Sequence, residues 1–274
     1  MPDFDTPDRL RLRVKVAAGE VNLRLTDTTV TRVHVDGDSA DAIEHTRVEL
    51  NGDQLIIEGP RRSGLFRTAP ELTISVEAPT GSSLDAELQS AELHVTGELS
   101  QARVRSGSGD VDIEHASGEV AVDAGSGDVQ VERLDGEGTL RSGSGDLDVA
   151  ATTGRIQAST GSGDVQLGRV DGAADVRSGS GDVVVEHSTA DLAISTASGD
   201  QQVLRTGGGT LRLKSASGDV HVGVTEGIAA WLDINTISGD VSSALGRSPE
   251  PDPDEPRVAV HVNTISGDVH LFHS

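Results

Sequence analysis

Cysteine, tyrosine and long hydrophobic runs are all absent from this chain of 274 residues. Without cysteine the chain has no disulfide framework, no thiolate metal site and no cysteine nucleophile. No run of about 18 apolar residues occurs that could span a membrane as a helix, and the start MPDFDTPDRL lacks a basic segment followed by an apolar one. These absences predict a cytoplasmic protein with no membrane insertion.

Aromatic and basic residues are scarce as well. Aromatic residues make up 1% of the chain, so its core has to be filled by Val, Leu, Ile and Ala, which suits a thin interior. The 45 acids against 22 Lys and Arg give a formal net charge of -23. Such a surface repels phosphate groups, so we expect no nucleic-acid partner, whereas cations and basic proteins match it better.

The tripeptide Ser-Gly-Asp recurs nine times, and its first six copies are spaced by 18 residues. A repeat of this length cannot bury its own apolar face, so successive copies are expected to stack into one continuous core. The aspartates of the nine copies are Asp110, Asp128, Asp146, Asp164, Asp182, Asp200, Asp219, Asp240 and Asp268.

Each 18-residue unit divides into two nine-residue halves. Alternating apolar pairs such as Val183 with Val185, and nine residues later Leu192 with Ile194, are typical of half-buried strands. The pattern predicts an all-β fold, a parallel β-solenoid (β-helix) with two strands per 18-residue coil. A three-sided helix of six-residue units would need apolar residues near Ser117 and Asp123, and we reject it.

Residues 1–81 do not show the nine-residue repeat. Their alternating strands are separated by turns such as DGD, NGDQ and APTG, which predicts an N-terminal antiparallel β cap of hairpins over the first coil. We expect the solenoid to occupy residues 82–274, with an acidic, Pro-rich surface loop at 243–257. Val258, Val260 and Val262 then resume the solenoid, and Val269 and Leu271 are expected to close it.

The column of aspartates admits two interpretations. Equivalent carboxylates of successive coils, about 4.8 Å apart, repel one another, so something has to offset the repulsion. In the structural interpretation, Ser and Asp accept hydrogen bonds from turn amides while Gly supplies an unusual backbone angle, and no cofactor is needed. In the other, Ca²⁺ binds between coils; its ligands would be Asp110, Asp128, Asp146, Asp164, Asp182, Asp200 and Asp219.

Two families resemble parts of this pattern. The period is similar to that of calcium-binding nonapeptide rolls, but here the Asp recurs in one half of the coil only, so a regular ion column lacks half of its ligands. Over essentially the whole chain, the SGSGDV coils, EGIAAWLDINTISGDV and the last VNTISGDVHL resemble the bacterial DUF4097 family, also labelled "putative adhesin". The resemblance implies a β-strand repeat protein with an adhesin-like label and no assigned molecular function.

Catalytic motifs are missing from the sequence. It contains no HExxH, GxSxG or P-loop, and its Gly-rich segments are turns. His115 and His187 occupy the same coil position four coils apart, too far to share a metal. His221 and His270 are expected two coils apart with Ser242 between them, either as solvent-facing residues or flanking a small site with His273.

Two features are candidate partner contacts. The only basic cluster places Leu65 and Phe66 among Arg61, Arg62 and Arg67, in a loop that either binds a partner or folds onto the cap. Trp231 either covers the core where the coil lengthens or stands on the outer face.

The sequence therefore predicts a non-enzymatic β-repeat scaffold or binding protein, adhesin-like, with a protein partner or self-association. Two alternatives remain open: a calcium-binding repeat protein that uses the Asp column, and a self-assembling, cytoskeleton-like solenoid that polymerises through uncapped ends.

Overall fold

The computed structural model describes residues 3–60, 69–246 and 257–274. They form 25 strands and one short helix, α1 (Ala40–Glu44), which confirms the all-β class. The chain divides into two compact units, Met1–Glu137 and Gly138–Ser274. The boundary between a cap and a solenoid after residue 81 stays a prediction.

The described residues of the first unit form eleven strands. They are β1 (Asp3–Asp5), β2 (Arg11–Thr26), β3 (Val30–Gly37), β4 (Arg47–Asn51), β5 (Gln54–Glu58), β6 (Leu72–Pro79), β7 (Ser83–Leu99), β8 (Gln101–Ser106), β9 (Val111–Ala116), β10 (Val120–Ala124) and β11 (Val129–Leu134).

The long strand β2 links the antiparallel and the parallel parts of this unit. It pairs in parallel with β7 along one edge and with β5 and β6 along the other. The pairs β4–β5, β3–β6 and β1–β3 are antiparallel and form the predicted cap. Parallel coils then follow through β7–β8, β7–β9, β8–β10 and β9–β11. Parallel pairing thus already begins at β2, which the hairpin-only prediction for residues 1–81 did not anticipate.

In the second unit, fourteen strands occur among the residues that the structure describes. They are β12 (Gly138–Ser142), β13 (Leu147–Thr152), β14 (Ile156–Thr160), β15 (Val165–Val170), β16 (Ala174–Ser178), β17 (Val183–Ser188), β18 (Leu192–Thr196), β19 (Gln201–Thr206), β20 (Gly209–Ser217), β21 (Val220–Val224), β22 (Ala229–Ser238), β23 (Val241–Ser243), β24 (Arg257–Ser266) and β25 (Val269–His273).

Two files of parallel strands make up this unit, one for each half of the coil. One file runs β12–β14–β16–β18–β20 and the other β13–β15–β17–β19–β21. Equivalent residues pair across 18 positions, as Val165 does with Val183. The predicted solenoid with two strands per 18-residue coil is confirmed.

The core consists of the predicted inward residues. Val183, Val185 and Ile194 have no exposed surface, as expected for apolar side chains that leave water on folding. Gln201 replaces an aliphatic residue here and is also fully buried; its side-chain amide donates to Thr196 Oγ1 at 2.9 Å and to the Lys214 carbonyl at 2.6 Å. These two bonds reduce the cost of burying an amide group in the core.

The last coils are not stacked in chain order. β24 pairs with β20 on one edge and with β22 on the other, and β25 lies likewise between β21 and β23. The prediction that Val269 and Leu271 close the solenoid is therefore wrong. The heptapeptide NTISGDV occurs in both final coils, at 235–241 and 263–269, so the repeat pattern alone fits either order.

Close stacking explains the glycine that precedes each aspartate. A Cβ on Gly181 would lie 1.8 Å from the carbonyl oxygen of Gly163, and one on Gly199 would lie 2.0 Å from that of Gly181. Neither Gly181 nor Gly199 has a positive φ. The expected role of glycine, an unusual backbone angle, is wrong at these positions; glycine is needed because the next coil leaves no room for a side chain.

We expect Gly181→Ala to lower the free energy of unfolding by about 1–3 kcal/mol or more, because the coils have to separate locally. Urea denaturation followed by circular dichroism measures this. The matched control is Gly246→Ala, since a Cβ at Gly246 would meet no atom of the described residues within 4 Å. Equal stability of the two variants would contradict the packing explanation.

Candidate binding surfaces

A buried hydroxyl group closes several Gly-Asp turns of the second unit, those at Gly145, Gly163 and Gly181. Ser178 Oγ accepts from the Gly181 amide at 2.9 Å and donates to the Gly163 carbonyl of the preceding coil at 3.3 Å. Thr160 Oγ1 makes the equivalent bonds to Gly163 and Gly145 at 3.0 and 3.2 Å. The prediction that the serine of Ser-Gly-Asp makes the bond to the turn amide is wrong. The bond is made by the hydroxyl residue three positions before the glycine, such as Ser178 or Thr160.

The aspartates form a ladder of hydrogen bonds between coils. Asp164 Oδ1 accepts from the Asp182 amide, and Asp182 Oδ1 accepts from the Asp200 amide, both at 2.8 Å. The same pattern recurs at five further pairs. With the amide donor named first, they are Asp128–Asp110 in the first unit and Asp164–Asp146, Asp219–Asp200, Asp268–Asp219 and Asp240–Asp268 in the second.

This ladder supplies the interaction that offsets the repulsion between carboxylates. Each bond joins a charged acceptor to a backbone donor, a stronger arrangement than a neutral pair. Among the described residues, no group of three or more His, Asp or Glu side chains is placed to hold a metal ion. The calcium hypothesis for this column is untested and stays a prediction.

We expect Asp182→Ala to reduce stability by about 1 kcal/mol, because the Asp200 amide loses its acceptor at a site still open to water. Asp182→Asn, which keeps an oxygen acceptor, should lose less. Chemical denaturation compares both with Glu226→Ala, which removes an exposed acid with no hydrogen bond in the described ranges. A loss for Glu226→Ala as large as for Asp182→Ala would show that the ladder bond is not the cause.

Two outward carboxylates of the second unit have pKa values shifted in opposite directions. Partial burial, with the nearby charge of Glu186, raises the pKa of Asp148. Asp171 accepts from Arg169 Nε at 2.7 Å and from Thr189 Oγ1 at 2.9 Å, and these bonds lower its pKa. The ionised form of Asp148 is therefore disfavoured by folding and that of Asp171 is favoured.

The two carboxylates should respond oppositely to neutralisation. Asp148→Asn should raise the melting temperature at neutral pH, with a difference from wild type that shrinks as the pH falls through the raised pKa of Asp148. Asp171→Asn should lower it at neutral pH, and this difference should shrink as the pH falls through the lowered pKa of Asp171. Thermal unfolding across this acidic range tests both signs; a shift of the same sign for both variants would contradict the assignment.

The structure brings two of the candidate histidines together. His221 and His270 pair directly on β21 and β25, with ring centroids 5.0 Å apart and planes 23° from parallel. Ser242 lies beyond His270, with its Oγ 2.8 Å from His270 Nδ1. The predicted order, with Ser242 between the histidines, is wrong because the C-terminal coil is inserted.

The other histidines are placed separately. His273 pairs with Val224 at the end of β25, three residues beyond His270 and therefore on the opposite side of the strand alternation. In the first unit, His115 Nε2 lies 2.9 Å from Asp135 Oδ2, and in the second, His187 pairs with Arg169. Neither arrangement places a nucleophile beside a base, so they give no catalytic constellation.

Trp231 stands on the outer face. Its side chain is 58% exposed, and its ring meets that of His261 edge-on, with centroids 5.0 Å apart. Of the two alternatives left open by the sequence, the structure shows the exposed one. The predicted contact residues Arg61, Arg62, Leu65, Phe66 and Arg67 lie outside the described residues, as does most of the predicted loop at 243–257.

Two surface depressions occur in the first unit. One is lined by Lys15, Glu58, Glu87 and Arg105 among others, and there Lys15 Nζ and Glu87 Oε2 form an ion pair at 2.7 Å. The other is lined by a similar mixture, including Arg11, Arg13, Asp85 and Arg103. The second depression is lined mainly by charged and polar residues, unlike the mostly apolar pockets that bind small molecules, whereas the first has a mixed lining that also includes Val16, Pro60 and Leu88. Across the described ranges no helix is long and apolar enough to cross a bilayer.

The stacked strands, the serine-closed turns and the aspartate ladder define a parallel β-solenoid repeat protein. The family model for Toastrack DUF4097 matches the chain twice, over residues 11–137 and 135–274. The chain therefore belongs to the DUF4097 family, as the sequence resemblance implied. The two matches correspond closely to the two compact units.

Solved structures resemble this chain at low sequence identity. A "putative adhesin" from Parabacteroides merdae ATCC 43184 is 12% identical, with a TM-score of 0.53 over 98% of this chain and 94% of that chain. A "putative adhesin" from Bacteroides fragilis NCTC 9343 is 11% identical, with a TM-score of 0.42 over 98% and 95%. A "putative lipid binding protein" from Parabacteroides distasonis ATCC 8503 is 13% identical, with a TM-score of 0.44 over 98% and 95%. The first likeness shows the fold alone, and the other two are too weak to support more. No curated protein matches the chain significantly.

Proposed function

We propose that this protein is a non-enzymatic β-repeat scaffold that binds other proteins through the outward faces of its strands, in an adhesin-like role. One observation carries the proposal: the recurring polar groups of the repeat are used to hold the coils together. Ser178 closes its turn and Asp182 receives the next coil's amide. The pattern that dominates the sequence is therefore structural, and binding is left to the side chains that point outward.

The outward side chains are arranged in regular rows. On one face of the second unit, Asp148, Gln166 and Val184 occupy paired positions on successive coils, about 4.8 Å apart. Glu186 lies close enough to Asp148 to raise its pKa. A rigid surface with fixed spacing suits an extended partner, and the formal charge of -23 favours a basic one.

The family supports the same class of function. Solved relatives by fold carry the label "putative adhesin", which denotes binding rather than catalysis. Small-molecule enzymes use a concave site with converging polar groups, whereas one of the two depressions described in the first unit has a largely polar lining and the other a mixed one. A cytoplasmic location remains part of the proposal, and it would place the partner inside the cell.

The proposal is tested by interferometry with the immobilised full chain. We expect saturable binding of lysozyme as a basic protein probe, with an affinity that falls about tenfold or more between low and high salt, and no binding of duplex DNA or phosphatidylserine vesicles. The double variant Asp148→Asn/Glu186→Gln should bind lysozyme more weakly, whereas Glu226→Gln is the matched control. Absence of protein binding by a folded chain, or preferential binding of DNA or vesicles, would overturn it.

A further inference from the structure

The strand β22 (Ala229–Ser238) forms an open end of the second unit. Within the described ranges it pairs with β24 along one edge and with no strand along the other, and β23 likewise pairs only with β25. A strand edge of this kind offers a row of unpaired backbone donors and acceptors to another strand.

The core is also open at this end. Leu232 and Ile234 of β22 point inward but are only half-buried, whereas their partners Val260 and Val262 on β24 have no exposed surface. On the other side of β22, Ile237 is 82% exposed. The inward file of apolar side chains thus continues to the end of the unit without a further coil to cover it.

The edge strands described in the first unit are protected by length and charge. In the first unit, β4 has five residues, among them Arg47 and Glu49, and β1 has three residues, two of them aspartates. Short, charged edges are the usual protection against unwanted pairing. β22 has ten residues and a single charge, Asp233, on a molecule whose formal charge is -23. It is therefore a mostly apolar edge with one charge on a strongly acidic protein, where a second acidic molecule can approach with little local repulsion.

We propose that β22 is the docking edge for a second copy of this chain, and that the two copies form a closed two-fold dimer by antiparallel pairing of their β22 strands. Identical edges related by a two-fold axis run antiparallel and leave no free edge for a third copy. A filament would instead need a parallel edge at the start of the chain, and there the outer edges of β5 and β6 are taken by the antiparallel strands β4 and β3.

One register of the antiparallel β22 pair gives the most favourable side-chain contacts. With the two-fold axis at Ile234, Trp231 lies opposite Ile237 of the second copy, and Leu232 lies opposite its Thr236. Asp233 then faces Asn235 of the second copy rather than another carboxylate. An axis at Asp233 would oppose two like charges, which destabilises an antiparallel pair. The Ile234 register also brings the two half-buried apolar files together.

The first test is sedimentation velocity of the full chain from low to high micromolar concentration. We expect the mass to rise from one copy to two and to stop there. Ile237→Lys, at a position exposed in the single chain, should weaken the association constant by about tenfold or more, because edge lysines oppose strand pairing. Ile265→Lys is the matched control, since Ile265 is 55% exposed but lies on β24, which is paired on both edges.

Oxidative cross-linking tests the register in a chain that has no native cysteine. Ile234→Cys should form a disulfide-linked dimer, because opposed Cβ atoms of antiparallel strands come within about 5 Å. Ile265→Cys should remain a single chain under the same oxidant. Equal cross-linking of the two variants would overturn the register.

Three outcomes would overturn self-pairing. Growth beyond two copies would indicate a filament. A single copy at every concentration with β22 amides protected from hydrogen exchange would show that the chain covers its own edge. A chain that stays monomeric at every concentration, with β22 amides that exchange freely, would indicate that the edge pairs with a strand of a different protein.

Discussion

The close approach of successive coils is the constraint on which the rest of the structure depends. Strands in a sheet lie about 4.8 Å apart, and at the Gly-Asp turn the whole backbone has to follow that spacing. A Cβ at Gly181 would nearly coincide with the Gly163 carbonyl oxygen. Glycine permits the approach, the buried Ser178 fixes the turn, and Asp182 places its carboxylate within reach of the next coil's amide. Repetition of the Gly-Asp pair follows from this single geometrical requirement.

Much of the fold could be predicted because the repeat is periodic. The alternation of Val183 and Val185 and its return at Leu192 and Ile194 identified the inward file, and all four residues are buried. The Asp column was also correctly interpreted in outline as acceptors for turn amides. The amide that donates to each carboxylate could not be inferred, because it belongs to the next coil and not to the same turn. The Asp200 amide, for example, donates to Asp182.

Other features could not be predicted from the sequence, for physical reasons. The order of the last two coils depends on which of two nearly identical segments pairs with β20, and identical residues such as Thr236 and Thr264 offer no preference. The neighbours His221 and His270 were consequently predicted one coil too far apart. Trp231 is exposed because it lies on the side of its strand opposite to the inward residues Leu232 and Ile234.

The inverted order of the final coils has a consequence for synthesis of the chain. A ribosome completes β22 before β24, and at that moment the edge of β20 is open to the first strand that fits it. Both strands carry NTIS at the end that meets Ser215 and Ser217, so β22 matches the vacant position almost as well as its proper occupant. The native arrangement therefore requires that β22 leave that edge free, or be displaced from it, until the C-terminal residues have emerged.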